Sequence, residues 1–216
     1  MPARPTPTEV FHFTHVDHLA TIISQGLLAD TTAQHSGNLT HEVGNAQIKQ
    51  QRRQRQVPTD QGLSVADHVP FYFAPRSPMM YSIAKGNVPT YQDGIGRLIY
   101  LHSDLDHLYA LGYRPILTDR NAALNVAEFR QFVLQDPLED GFIDWPLMRA
   151  KYWKSTDDAP DRRERRMAEA LVQGRVGWEA ITAISTRNQQ VADEVNSILT
   201  GARVSLPVNV RGGWYF

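Results

Sequence analysis

An α+β fold is predicted by three observations. The β-forming runs are short and numerous, convincing amphipathic helices are few, and polar stretches rich in turn residues separate them. Residues 10–15, Val-Phe-His-Phe-Thr-His, are dominated by β-formers and read as a strand. Residues 16–25 place Val16, Leu19, Ile22 and Ile23 on one helical face, and Gly26 supplies a stop. Residues 29–47 are polar, hold Gly37 and Gly44, and lack periodicity, so a long loop is expected. A basic run, Ile48-Lys49-Gln50-Gln51-Arg52-Arg53-Gln54-Arg55, follows. Residues 68–74, His-Val-Pro-Phe-Tyr-Phe-Ala, read as a strand whose Pro70 argues for an edge or a strand start. Pro75 to Tyr81 turn into a short helix ending near Gly86, and residues 97–103 form the next strand. The segment 110–160 is mixed and rich in turn residues. Residues 167–172 lean to a strand with Met167, Glu169 and Leu171 on one side and Ala168, Ala170 and Val172 on the other. Strands at 180–185 and 203–209 bracket a helix at 188–199.

With 216 residues, 42% hydrophobic and 21% charged, the chain is expected to form a single domain over 1–216 with a genuine core. A net charge of −1 creates no global field for nucleic acid or an anionic membrane, so such contacts must come from local patches. The absence of cysteine excludes disulfides, thiolate nucleophiles and Cys-ligated zinc. Neither a signal peptide nor a membrane-length apolar run is visible, so a cytoplasmic protein is expected. The glycosylation sequon at Asn38-Leu39-Thr40 is read as chance in that setting.

The strongest single anomaly is Glu169, one acid inside the apolar run Met167-Ala168-Glu169-Ala170-Leu171-Val172. Burying an unpaired carboxylate is costly, so it is solvated at an edge, paired, or placed to do chemistry. Nucleotide fingerprints are lacking. There is no P-loop sequence, and Gly94-Ile95-Gly96 precedes a strand instead of following one. The spacing of His12, His15 and His18 fits neither strand nor helix across the boundary between them, and no metal is expected. His12 and Thr14 instead share a strand face and suit a hydrogen-bonding pocket. Lys49 to Arg55 and Arg162-Arg163-Glu164-Arg165-Arg166 are either solvated faces or phosphate contacts. Tyr72, Tyr81, Trp145, Tyr152 and Trp153 are candidates for base stacking, with core packing the plainer role for most.

Four pieces in chain order resemble one family, the DarT type of DNA ADP-ribosyltransferase, toxin component of DarT–DarG toxin–antitoxin systems. They are Phe11-His12-Phe13-Thr14-His15 with the helix to Gly26-Leu27, Ile48-Lys49 with its arginines, Val69 to Met79, and Met167 to Val172. The resemblance implies an ADP-ribosyltransferase-like fold, a central split antiparallel or mixed sheet flanked by short helices and long loops. It implies NAD as co-substrate, no metal, and the ring nitrogen N3 of thymidine in single-stranded DNA as acceptor. It makes Glu169 the catalytic glutamate and Arg52 the essential arginine, with Arg53 as the adjacent alternative. NAD contacts are implied at His12, Thr14, Gly26, Leu27, Arg52 and Tyr72. DNA contacts are implied at Arg53, Arg55, Tyr152, Trp153, Arg162 and Arg166, and residues from about Asp119 to Glu169 become the substrate-recognition loop. A DarG-type macrodomain antitoxin is the implied partner. Either Glu169 or Arg52 would assist loss of the N3 proton. Competing readings are a transferase acting on RNA or protein, a phosphotransferase relative, and a noncatalytic nucleic-acid-binding domain.

Overall fold

The structure, a computed structural model, describes residues 2–37, 39–60 and 62–216. Asn38 of the sequon lies outside them. The strands are β1 (Glu9–His15), β2 (Leu27–Leu28), β3 (His68–Tyr72), β4 (Leu98–Asp104), β5 (Ile116–Thr118), β6 (Phe129–Gln131), β7 (Glu169–Gln173), β8 (Arg175–Val176), β9 (Ala183–Thr186) and β10 (Val208–Val210). The helices are α1 (Leu19–Gln25), α2 (Asp30–His35), α3 (Ala46–Gln54), α4 (Pro78–Ala84), α5 (Leu105–Ala110), α6 (Trp145–Arg149), α7 (Arg162–Arg165) and α8 (Gln189–Gly201). Eight strands form one mixed sheet in the order β10-β9-β4-β1-β3-β7-β5-β6, while β2 and β8 pair separately.

Strand alternation builds a core on both faces of this sheet. In β4, Ile99 and Leu101 join the larger cluster, which also holds Val191, Val195 and Leu199 of α8. Leu98 and Tyr100 point the other way, into a cluster with Phe11, Met80 and Tyr215. In β7, Ala170 and Val172 belong to the larger cluster, and Leu171 packs with Val57, Val65 and Ile116 on the opposite side. Glu169 shares the side of Leu171, as the alternation predicts.

The sheet is split in its middle. β1 pairs with β4 along its whole length, from Glu9↔Asp104 to His15↔Leu98. With β3 it makes a single pair, Phe11↔Tyr72. Pro70 corrects one expectation, because it sits inside an interior strand and opposite Leu171 of β7, not at an edge. Its carbonyl faces β1, where it accepts a bond from the His12 ring. A residue's amide nitrogen and carbonyl point to the same side of a strand, so the imide nitrogen faces the opening and costs no ladder bond.

Other boundaries move for local reasons. The expected loop at 29–47 contains α2 and the start of α3, whose Asn45 side chain accepts from the backbone N–H groups of Gln47 and Ile48. The mixed segment contributes β5, β6 and α6. The last expected strand shrinks to Val208–Val210, beyond Pro207. Gly26 ends α1 at φ +85°, and a Cβ there would lie 2.7 Å from the Val176 carbonyl oxygen, so glycine is required.

Candidate active site

The split between β1 and β3 opens into a cavity of about 390 Å3. Its volume suits a small-molecule ligand. The six residues that the resemblance makes NAD contacts, His12, Thr14, Gly26, Leu27, Arg52 and Tyr72, all line it.

The hydrogen bonds fix the polarity of the β1 wall. His12 Nδ1 lies 2.8 Å from the Pro70 carbonyl, which can only accept, so Nδ1 carries the proton and Nε2 is left as an acceptor. Burial is the largest cause that pushes the His12 pKa down to about 4, with the Arg52 charge adding to it and the Pro70 bond opposing it. His18 Nε2 accepts from the His41 backbone N–H, so its Nδ1 donates to Thr14 Oγ1 at 3.0 Å. That leaves the Thr14 hydroxyl proton free for another acceptor. Burial, then the nearby His15 and His41, push the His18 pKa down to about 4. The wall therefore presents one neutral acceptor and one neutral donor.

Glu169 opens β7 directly across from Tyr72 of β3. Its residue is 0% exposed. This overturns the solvated-edge reading, because β7 lies between β3 and β5 and the carboxylate is paired. Arg52 Nη1 donates to Oε1 at 3.0 Å and to Oε2 at 2.9 Å. The Ala122 backbone N–H also donates to Oε1, at 3.1 Å. Thr118 Oγ1 accepts from the Glu169 backbone N–H and anchors the strand end. Arg52 Nη2 is buried without a partner on a residue that lines the cavity. Burial, and then the Glu169 charge, push the Tyr72 phenol well above its usual range.

The remaining arginines separate. Arg53 is exposed and pairs with Asp30 at 3.1 Å, so Arg52 alone of the two reaches Glu169. Arg55 donates to the Asn125 and Ala127 carbonyls and lies over the Phe129 ring. Arg162 is half-buried and donates to the Tyr152 carbonyl. Tyr152 is 75% exposed, whereas Trp153 is half-buried with its Nε1 donating to the Arg76 carbonyl. Arg166 is the clearest correction: it is 3% exposed and cannot meet a DNA backbone. It donates to the carbonyls of Leu147, Met148, Ala150 and Pro75, the first three at the end of α6.

The sequence places several lining residues only within a run or segment, with no individual role. Lys49 pairs with Asp30 and Glu42, closing the cavity's rim. Asn121, Arg163 and Met167 line it from the segment that ends on Glu169. The basic run and the adjoining Glu169 were their only signals, and the Ala122 N–H, a backbone donor, had none. The three evenly spaced histidines do not converge. His15 stacks on His41 with ring centroids 3.9 Å apart and an interplanar angle of 21°, and both approach Asp17 and Asp93. His15, His41 and Asp93 bring potential ligand atoms within 4.8 Å of one another. In-plane lone pairs of such stacked rings run side by side and do not meet at one point. Among the described residues, no helix is long and apolar enough to cross a membrane.

Residues 11–216 match the family described as ssDNA thymidine ADP-ribosyltransferase, DarT. A DNA ADP-ribosyl transferase of Thermus sp. (strain 2.9) is 35% identical over 216 residues, covering 98% of both chains. The structure of Thermus sp. 2.9 DarT in complex with ADP-ribosylated single-stranded DNA superposes with a TM-score of 0.86 at 33% identity, covering 99% of each chain. The same protein in complex with NAD+ gives 0.84 at 32% identity, covering 99% of this chain and 100% of that one. The split sheet, the cavity it opens and the buried glutamate beside it thus lie in a chain that belongs to the DarT family of single-stranded-DNA thymidine ADP-ribosyltransferases.

Proposed function

We propose that this chain transfers ADP-ribose from NAD to thymine in single-stranded DNA and releases nicotinamide. The observation that carries the reading is a buried Glu169 held by Arg52 beside a nucleotide-sized cavity. Breaking the nicotinamide–ribose bond develops positive charge on the ribose, which a fixed carboxylate stabilises. Two donors, Arg52 Nη1 and the Ala122 N–H, fix the Glu169 carboxylate through three hydrogen bonds. His12 Nε2 and the Thr14 hydroxyl supply an acceptor and a donor for sugar hydroxyls or the carboxamide. Lys49 and Arg52 place positive charge on the nucleotide side of the cavity.

The bond from the ribose anomeric carbon to nicotinamide breaks, and its electron pair leaves with nicotinamide. The N3 lone pair of thymine forms the new bond, and the N3 proton passes to water. N3 is occupied in a base pair, so the acceptor must be unpaired. Arg52 Nη2 has no partner among the described residues and is the donor left for a thymine carbonyl, where it stabilises the ring as N3 loses its proton. This divides the labour: Glu169 serves the ribose and Arg52 the base. Residues 1–216 act as one catalytic unit. A DarG-type macrodomain partner would remove the mark and make the pair a toxin and antitoxin.

The test is mass spectrometry of a thymine-rich oligonucleotide after incubation with NAD. A gain of one ADP-ribose, absent with Glu169→Ala, is expected. A folded wild-type protein that modifies RNA or protein but no DNA would overturn the acceptor assignment.

A further inference from the structure

Three aromatic rings meet beside the cavity on a surface the chemistry above leaves unused. Tyr81 of α4, Trp153 and Phe216 contact one another edge to face, with centroids 5.1 to 6.4 Å apart. They come from three distant parts of the chain, and Tyr81 is 38% exposed. Cations lie on two of the rings. The Arg76 guanidinium sits 4.1 Å from the Phe216 centroid, and the Lys85 ammonium 5.5 Å from that of Tyr81.

The cluster is held in a demanding way. Arg76 adopts φ +56°, in the left-handed region that a side chain other than glycine enters at a cost. Its carbonyl takes the Trp153 indole N–H at 2.9 Å, and its Nη1 donates to the carbonyls of Gly213 and Tyr215. Its Nε is buried with no partner. One residue thus gathers the loop bearing Trp153, the segment bearing Phe216 and the start of α4.

Helix α4 connects this surface to the cavity. Pro78, Met79 and Ser82 line the cavity, and Tyr81 stands on the adjoining stripe of the same helix. Tyr81 is three residues beyond the cavity-lining Pro78, about 60° around the helix from it at roughly 100° per residue. The aromatic surface therefore begins where the cavity ends. A partly exposed aromatic cluster with interleaved cations matches what a single-stranded polynucleotide offers, namely bases and phosphates in alternation.

We propose that the Tyr81–Trp153–Phe216 cluster is a stacking subsite for a nucleotide that flanks the target thymine, with Arg76 and Lys85 serving the adjoining phosphates. This rests on the reading that the cavity serves transfer to DNA, and it adds a demand for a neighbouring base. A lone thymidine nucleotide then becomes a poor acceptor.

The test uses two oligonucleotides with one central thymine, one flanked by bases and the other by abasic spacers. Tyr81→Ala is expected to raise KM for the base-flanked DNA by about 5- to 100-fold, the range for one lost base–aromatic stack. Its melting temperature and its affinity for NAD should match wild type. On the abasic-flanked DNA, wild type and variant should share the same raised KM. Trp153→Phe, which keeps a ring, should lose less than Tyr81→Ala. Equal KM values for wild type and Tyr81→Ala on base-flanked DNA would overturn the subsite, as would an equal loss on both substrates. Wild-type protein that modifies neither DNA would sink the transferase reading itself, and this inference with it.

Discussion

Arg52 and Glu169 stand 117 positions apart in the chain and meet through one guanidinium nitrogen that reaches both carboxylate oxygens. The second terminal nitrogen of Arg52 stays unpaired. Removing one member of a buried pair leaves an uncompensated charge, which costs about 3–5 kcal/mol, whereas replacing both is often neutral. Arg52→Met and Glu169→Leu should therefore each destabilise the fold by a few kcal/mol, and the two combined should recover most of that loss. All three proteins should be inactive. Chemical denaturation of the two singles and the double gives the coupling energy, and an additive double would show that the pair contributes nothing to stability. Arg53→Ala, which loses an exposed contact to Asp30, should keep wild-type stability within about 0.5 kcal/mol and retain activity.

How far the sequence revealed this site depends on where each partner lies. Glu169 stood out because a carboxylate breaks the apolar run around it, but its burial was hidden, since no local rule joins it to a residue so distant. Pro70 did mark a place where a strand lacks a donor partner. The opening inside the sheet meets that condition as well as an outer edge does. α2 and α3 bury no residue completely, so they carry no hydrophobic periodicity, and capping and ion pairs define them instead. Arg166 looked like surface because it ends a run of charges. What turns it inward is a set of carbonyls at the end of α6, and backbone groups leave no mark in a sequence.

The neutral His12 and His18 make a pH prediction with a definite sign. Both are held near 4, below the ordinary 6.5 of an unfolded histidine. Between those values the unfolded chain binds more protons, so their contribution is intact above about 6.5 and is lost as pH falls toward 4. Melting temperature should decline across that window, and His18→Gln should flatten the decline. NAD affinity should stay level from pH 8 to about 5.5 and then fall, as His12 Nε2 and the His18 acceptor become protonated. Calorimetric titration of NAD across this range checks it, and an inflection near 6.5 would contradict the lowered pKa of His12 and His18.

Lys49 joins the helix that carries Arg52 to the segment before it, through Asp30 and Glu42. Glu42 in turn accepts from the Gly44 N–H, so one ammonium organises the rim of the cavity. Lys49→Ala should raise KM for NAD by about tenfold, the order of a lost charge-assisted bond and its ordering effect, with a smaller change in kcat. Steady-state kinetics at saturating DNA separates the two. A drop in kcat alone would place Lys49 at the chemical step instead.

Arg163 and Arg166, both shortly before Glu169 in the chain, should respond oppositely to salt and to denaturant. Arg163 is exposed and lines the cavity mouth, so as a phosphate contact it contributes to counterion release. Arg163→Ala should weaken single-stranded DNA binding and reduce the slope of log K against log salt by about 0.7. It should leave the denaturation midpoint nearly unchanged, and NAD binding should depend on salt much less than DNA binding. Arg166 spends its donors on four carbonyls inside the protein. Arg166→Ala strands the carbonyls of Met148, Ala150 and Pro75, each at about 1–3 kcal/mol, while that of Leu147 keeps the Ala150 N–H, so stability should fall by several kcal/mol. The salt slope of whatever folded protein remains should equal wild type. Measuring both quantities for both variants decides the matter, because a changed slope in Arg166→Ala with an unchanged midpoint would return that residue to the DNA surface.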